Sequence, residues 1–181
     1  MRFIQRHRDP WQAVSGEDGP PVIVPASHRL LDLAQWHAVR AQWPTGMPVA
    51  LRLGNDVEVE TLAQDLPRLD MLALHFPKWT DGRAYSQARL LRMRLRFRGE
   101  IRATGEVLVD MMPLLERTGF DAVMLRADQS EDTARRMLTF FPGYYQGDVL
   151  DPRPLFAQPA GTADALARQS VPEFVDHGGG I

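Results

Sequence analysis

Short strand-like runs alternate with amphipathic stretches along most of this chain. The strand-like runs are found at 22–24, 48–53, 69–76, 100–104 and 121–126. Apolar residues at helical spacing follow each run, at 27–39, 56–66, 83–96, 110–119 and 130–141. Strands that alternate with helices through short connections are typical of parallel sheets with right-handed crossovers. We therefore predict an α/β fold of about five βα units, with the parallel sheet open or curled into part of a (β/α) barrel.

Local signals place the ends of several of these elements. Ser27, Asp110 and Ser130 stand where an N-cap would start the following helix, and Gly119 stands where the helix after Asp110 would end. The first fifteen residues predict a small N-terminal hairpin. From 148 onward the chain is rich in Pro, Ala and Gly, which predicts an irregular C-terminal tail. We expect a single α/β domain over 1–147 and the tail over 148–181.

Composition narrows the classes of function. The 181 residues carry a formal charge of -2, which is unlike a general nucleic-acid binder, so we expect no nucleic-acid partner. Cysteine is absent, which excludes disulfides, thiol catalysis and cysteine-ligated metal clusters in this chain. The spacing of histidines suggests no metal site, and we expect no cofactor. With no apolar run near the length of a membrane span and no secretory signal at the N-terminus, we expect no membrane association and a cytoplasmic location.

The charge is distributed unevenly. Seven arginines lie between Arg83 and Arg102, where the only acid is Glu100. On a helical wheel, four side chains share one flank beside the predicted apolar face, and we call them the arginine stripe: Tyr85, Arg89, Arg92 and Arg96. The stripe is a solvated face paired with acids elsewhere in the chain, a contact surface for an acidic protein partner, or a site for a polyanion or nucleotide.

A second group of polar residues follows the predicted strands. Parallel α/β sheets bind ligands beyond the carboxyl ends of their strands, and Lys78, Asp81, Arg83 and Arg102 are expected near that end. These four residues could hold a small oxyanion. The alternatives are that Asp81 is a turn or N-cap residue and that Arg102 forms a buried pair with an acid such as Asp81 or Asp121.

Local motifs name no reaction. The chain has no glycine-rich dinucleotide fingerprint, phosphate loop or nucleophile elbow after a predicted strand. Among the histidines, His75 at a strand end is the one placed like a site residue, and we nevertheless expect its role to be structural. No catalytic residue can be named, so whether the protein is an enzyme stays open.

One long stretch resembles a known family. The segments "FPKWTDGRAYSQARLLR" at 76–92, "RATGEVLVD" at 102–110 and "RTGFD" at 117–121 follow, in order, the pattern of the bacterial family called domain of unknown function 934. The segment "YYQGD" at 144–148 is similar to the end of that pattern. Met111 departs from it, since a glutamine is expected after Asp110.

The resemblance implies a role beside assimilatory sulfite reduction, and members of the family are usually called oxidoreductases of that pathway. Sulfite reduction transfers six electrons through redox centres that need cysteine ligands, which this chain lacks. We therefore expect a non-redox accessory partner of sulfite reductase, or of another sulfur-assimilation enzyme. The alternative is a small α/β enzyme or oxyanion-binding protein that acts on a sulfur or phosphate oxyanion.

Overall fold

A single parallel sheet organises the computed structural model of this chain, which describes residues 1–14, 23–141, 144–157, 159 and 161. Its strands in that part of the chain are β1 (Arg2–Phe3), β2 (Gln12–Ala13), β3 (Arg29–Asp32), β4 (Val49–Leu53), β5 (Met71–Phe76), β6 (Glu100–Gly105) and β7 (Ala122–Val123). They lie in the order β1-β7-β6-β5-β4-β3-β2, and every neighbouring pair is parallel. From β2 to β7 each strand lies beside the next one in the chain, as in a (β/α) barrel. The sheet is curled into a half-barrel, which confirms the predicted fold class.

The helices cover the outer face of this half-barrel. They are α1 (Leu33–Val39), α2 (Arg83–Met93), α3 (Met112–Thr118) and α4 (Glu131–Leu138). Asp32 begins α1 with a capping box, accepting from the Gln35 amide at 2.8 Å while its own amide donates to the Gln35 side chain at 2.9 Å. As predicted, Ser130 caps α4 and Gly119 ends α3, with a φ of 102° that favours glycine.

Alternation along the strands gives the sheet two different faces. Leu72, Leu74 and Phe76 of β5 belong to the main core, where they pack under the helices with Ala88 and Leu91 of α2. The opposite, inner face holds a much smaller cluster, formed by Ala50, Met71 and Ala73 with Trp11 and Leu30 packed against it. The main core is therefore on the outer face, and only a short segment near the N-terminus covers the inner one.

The N-terminal segment crosses between the two edges of the sheet. β1 pairs with β7 at one edge and β2 pairs with β3 at the other, although only residues 4–11 separate β1 from β2. Such a segment reaches about 30 Å when fully extended, close to the width of seven flat strands spaced about 4.8 Å apart. A 3-10 turn at Arg6–Arg8 shortens that reach, so the connection fits a curled sheet. The predicted N-terminal hairpin is wrong in its pairing, because the two strands do not pair with each other.

Two other predicted elements also differ. The strand predicted at 22–24 is absent at Ile23 and Val24, and Val22 lies outside the described residues. A strand, β3, forms instead within the segment that was predicted to be helical from Ser27. The helix of that segment begins only after Asp32. The helix predicted over 56–66 is replaced by 3-10 turns at Val59–Leu62 and Leu66–Arg68. β-branched residues disfavour an α-helix there, and Pro67 removes a backbone donor.

The remaining predicted elements are present with changed ends: the strand predicted over 121–126 is reduced to β7, and α3 begins after Met111, because Asp110 lies inside a 3-10 turn. α2 stops at Met93, and Arg96 takes a left-handed φ of 57°. No helix among the described residues is long and apolar enough to cross a membrane. Part of the predicted tail, 158, 160 and 162–181, lies outside the described residues, and the domain boundary after 147 stays a prediction.

Candidate functional site

Polar side chains occupy the inner face where the central strands end. Arg52 of β4 and His75 of β5 are exposed, although their strands are otherwise buried, and Thr104 of β6 lies opposite His75. Arg52 is in register with Ala73, which places it diagonally from His75 on the same face. Within the described ranges, no hydrogen bond or ion pair engages the side chain of Arg52 or His75. We call Arg52, His75 and Thr104 the inner rim.

A glycine makes room for the His75 ring. Gly105 ends β6 with a φ of 93°, and a Cβ there would lie 2.3 Å from the Phe76 carbonyl oxygen and 2.7 Å from His75 Cε1. Real Cβ atoms essentially never approach other atoms so closely, so any other residue would displace the strand end or the imidazole. The ring of His75 can therefore occupy this position because residue 105 has no side chain.

A cavity of about 800 Å³ opens on the other side of Gly105. It lies beyond the carboxyl ends of β1, β7 and β6, which is where parallel α/β folds bind their ligands. We call it the carboxyl-end cavity; its walls are formed by residues 3–7, 105–106 and 123–127 with Gln129 and Glu131. The inner rim and this cavity are therefore neighbouring parts of one end of the half-barrel.

The acids around the cavity have cationic partners. Arg126 donates to Glu106 at 2.9 Å and to Asp128 at 2.6 and 2.7 Å, and these hydrogen bonds lower the pKa of Asp128 to about 2. Glu131 accepts from Arg135 at 2.5 Å. Arg6, by contrast, is exposed and has no ion-pair partner in the described part of the chain. Since Glu106 and Asp128 share the single charge of Arg126, Arg6 brings the charges at this wall to balance.

A buried ion cluster lies on the same inner face. The Arg102 side chain is 3% exposed and donates to Asp9 at 2.6 Å and to Glu100 at 2.7 Å, while Arg2 also reaches Glu100 at 2.5 Å. The sequence allowed a buried pair for Arg102 with Asp81 or Asp121, and the acids that pair with it are instead Asp9 and Glu100. Through Asp9, this arginine holds the N-terminal segment across the inner face.

The other predicted oxyanion ligands lie around the start of α2. Asp81 accepts from the Arg83 guanidinium at 3.0 and 2.7 Å and from Asn55 at 2.7 Å. The hydrogen bonds from Arg83 are the main cause that lowers the pKa of Asp81 to about 2, so this carboxylate stays charged near neutral pH. Lys78 is exposed. No hydrogen bond or ion pair among the described residues joins Arg102 to these three, and their role as a shared oxyanion site stays a prediction.

The arginine stripe divides into two structural and two exposed members. Arg92 donates to the carbonyl oxygens of Phe97 (2.7 Å), Gly99 (2.9 Å) and Gly119 (3.0 Å), and also contacts Asp121. Tyr85 packs in the core, and burial raises its pKa to about 12. Arg89 and Arg96 are exposed, with no ion-pair partner in the residues described. The contact role of the stripe stays a prediction, and the exposed residues that could serve it are Arg89 and Arg96.

Sequence reasoning missed several residues that shape this end of the molecule. Arg52 could have been found, because it interrupts the apolar strand "VALRL" near its end just as His75 interrupts "MLALHF". Gln87 of α2 carried no comparable signal; its amide donates to the carbonyl oxygens of Gly54 at 2.8 Å and Val57 at 2.9 Å, which holds the loop after β4. Asp9 likewise had no local pattern, since its partner is distant in sequence.

Comparison with known proteins reaches the level of a family. No curated protein matches this chain. One family profile, described as a bacterial protein of unknown function (DUF934), matches residues 50–156, which include the inner rim and the arginine stripe. Since the match spans more than half of the 181 residues, the chain belongs to the DUF934 family of bacterial proteins of unknown function.

Proposed function

We propose that this protein binds a small sulfur or phosphorus oxyanion at the inner rim. The observation that carries the proposal is the exposure of Arg52 and His75, without partners among the described side chains, at the carboxyl ends of two central parallel strands. An inner face that served packing alone would hold branched aliphatic residues at these positions. An arginine and a histidine held there are better explained by a ligand.

The chemistry of the rim suits a tetrahedral oxyanion. A guanidinium presents a planar fork of N–H donors that matches two oxygens of such an anion. A neutral imidazole offers one N–H donor, and the Thr104 hydroxyl can supply another. The Thr104 hydroxyl presently donates to the Leu74 carbonyl at 3.3 Å, a long hydrogen bond that an anion could replace.

Thermal unfolding with added sulfate, sulfite or phosphate tests this proposal. Anion binding to the folded state should raise the Tm of the native protein as concentration rises above Kd. Arg52→Gln and His75→Gln should each reduce that rise, while Arg98→Gln, which changes an exposed arginine beyond the end of α2, should keep it. Equal shifts in all three variants, or no shift in the native protein, would contradict the proposal.

A second candidate function is that of an accessory protein for sulfite reductase or another sulfur-assimilation enzyme. It is the role that the family resemblance implies, and the exposed pair Arg89 and Arg96 favours it as a contact for an acidic partner surface. Without cysteine, the chain would act beside the redox centres of its partner and supply none itself. Charged contacts of this kind act mainly on association rate and specificity.

Recovery of sulfite reductase with the tagged protein tests the accessory role. The host is grown on sulfate as its sole sulfur source, and the bound proteins are compared at low and moderate salt. Arg89→Glu or Arg96→Glu should weaken recovery, and salt should do the same, because the contact is electrostatic. Arg8→Glu, an equal charge change at an exposed site on the N-terminal 3-10 turn, is the control. The accessory role fails if sulfite reductase is never recovered or if all three variants recover it equally.

A further inference from the structure

The carboxyl-end cavity is much larger than an inorganic oxyanion needs. Its volume of about 800 Å³ is within the range of about 300 to 1,000 Å³ that is usual for sites of small organic ligands. A tetrahedral oxyanion displaces only a few water molecules, each of which takes about 30 Å³ in the liquid. An inorganic anion at the inner rim would therefore leave this space to solvent.

The walls of the cavity have the mixed character of an organic-ligand site. The apolar residues Phe3, Ile4 and Met124 line it at or just after the strand ends, next to Val123, whose side chain is buried in the main core. Gln129 adds a polar group, whose Oε1 already accepts from the Val109 amide at 3.1 Å. Apolar contact area with a few placed polar groups is what binds the body of an organic molecule.

Gly105 connects the two regions. It lines the cavity, and the His75 imidazole lies directly against it. Because glycine has no side chain, only the backbone of residue 105 separates the ring from the cavity. A ligand that places an anionic group at His75 and Arg52 can therefore extend past Gly105 into the larger space.

We infer that the ligand is an organic monoester of a sulfur or phosphorus oxyanion, with its anionic group at the inner rim and its body in the carboxyl-end cavity. This inference rests on the proposed function and adds the substrate class. Arg6, whose charge has no partner in the described ranges, stands at the cavity wall, where it can contact polar groups of that body. Each acid at this wall has an arginine partner, with Glu106 and Asp128 sharing Arg126, so Arg6 brings the charge of the group to balance.

Phenyl phosphate and inorganic phosphate distinguish an ester site from a simple anion site. Calorimetric titration should show that phenyl phosphate binds at least about tenfold more tightly than inorganic phosphate, because the phenyl ring is transferred from water to the apolar wall of the cavity. Ala127→Trp places a large side chain at an exposed position of the cavity wall and should abolish this difference. Ala41→Trp, at an exposed position after α1, is the matched control and should keep it.

The outcomes separate this inference from the proposed function. Equal affinity for the two phosphates, with binding of both reduced in Arg52→Gln, would overturn the ester inference and leave the oxyanion site standing. An affinity difference that persists in Ala127→Trp would also overturn it, since the ring would then bind elsewhere. If neither phosphate binds the native protein, the proposed function fails and the inference fails with it.

Discussion

The two faces of the sheet are built from the same strands, but the outer face forms the main core and the inner face carries the candidate site. Along β5, Leu72, Leu74 and Phe76 enter the core beneath the helices, while Met71, Ala73 and His75 turn to the inner face. On the outer face, the apolar side chains continue to the last residue of the strand. On the inner face they give way to an exposed histidine. The faces differ because helices cover the outer one, whereas only a short N-terminal segment covers the inner one.

The N-terminal segment covers only a narrow part of the inner face. Trp11 packs on Ala50, Met71 and Ala73, whose small or flexible side chains let the crossing segment lie close to the sheet. Beside it, Asp9 neutralises the buried Arg102. Beyond this segment, toward the carboxyl ends, the strands meet solvent, and polar residues replace aliphatic ones. The place of the candidate site therefore follows from where the N-terminal cover stops.

The largest expected effect comes from the ion cluster that holds this cover. Arg102→Met leaves the largely buried carboxylate of Asp9 without its cation and Glu100 with only Arg2, which should cost about 3 to 5 kcal/mol in free energy of unfolding. Urea denaturation measures the loss. Arg2→Met removes an arginine that is 64% exposed and should cost less than about 1 kcal/mol. Similar losses in the two variants would mean that the cluster does not anchor the inner face.

Neighbouring residues on β5 give a direct comparison of the faces. Leu74 is fully buried in the outer core, so Leu74→Ala should lower the free energy of unfolding by about 2 to 5 kcal/mol. His75→Ala changes an exposed side chain and should alter it by less than about 1 kcal/mol. Urea denaturation of both variants makes the test. A large loss in His75→Ala would show that this histidine serves the fold.

Tyr85 gives the outer face a dependence on high pH. Burial raises its pKa to about 12 from an ordinary value near 10, so the folded state favours the neutral phenol. The stabilisation is complete below about pH 10 and is lost as the pH rises toward 12, because the unfolded chain ionises first. Denaturation from pH 8 to 12 should show a smaller alkaline loss in Tyr85→Phe. An identical loss in both proteins would assign it to other groups.

The smallest expected effect is a loss of stability at low pH that comes from the pair of Asp81 and Arg83 at the start of α2. Arg83 lowers the pKa of Asp81 to about 2 from 3.8, so the pair stabilises the fold above about pH 4, and the stabilisation disappears as the pH falls through about 2. Asp81→Asn should flatten the stability curve over this window, slightly, because the pair is exposed to solvent. Arg83→Gln should flatten it in the same way. Different acid responses of the two variants would contradict the pairing.

The pattern of apolar residues predicted most of the strands and helices that form the main core on the outer face of the sheet. The runs "VALRL" and "MLALHF" and the helical spacing of Ala84, Ala88 and Leu91 correspond to elements that bury these residues. Prediction from the hydrophobic pattern failed where the local preference of a segment competed with its contacts to residues distant in the chain. β3 forms at "RLLD" because β4 lies beside it, and the N-terminal strands have only two residues each, too few to specify a partner.

The candidate site shows the same division. The sequence pointed to the carboxyl ends of the strands and to an oxyanion, but its candidate ligands were Lys78, Asp81, Arg83 and Arg102, and it expected His75 to be structural. It could not show that Arg92 would donate to three carbonyl oxygens of the fold, or that Arg102 would pair with Asp9. A charged side chain has the same local pattern whether its partner lies inside the protein or in a ligand.

The sequence by itself determined the alternation of strands and helices, the parallel sheet, the family and the lack of cysteine chemistry, because each depends on residue type and short-range spacing. Among the described residues, the tertiary structure decided which arginines bond within the protein and which are exposed, and where the inner face stays open. These depend on contacts such as Asp9 with Arg102 and His75 with Gly105, which join segments far apart in the chain. Only the folded chain sets those distances, and with them the position of the site.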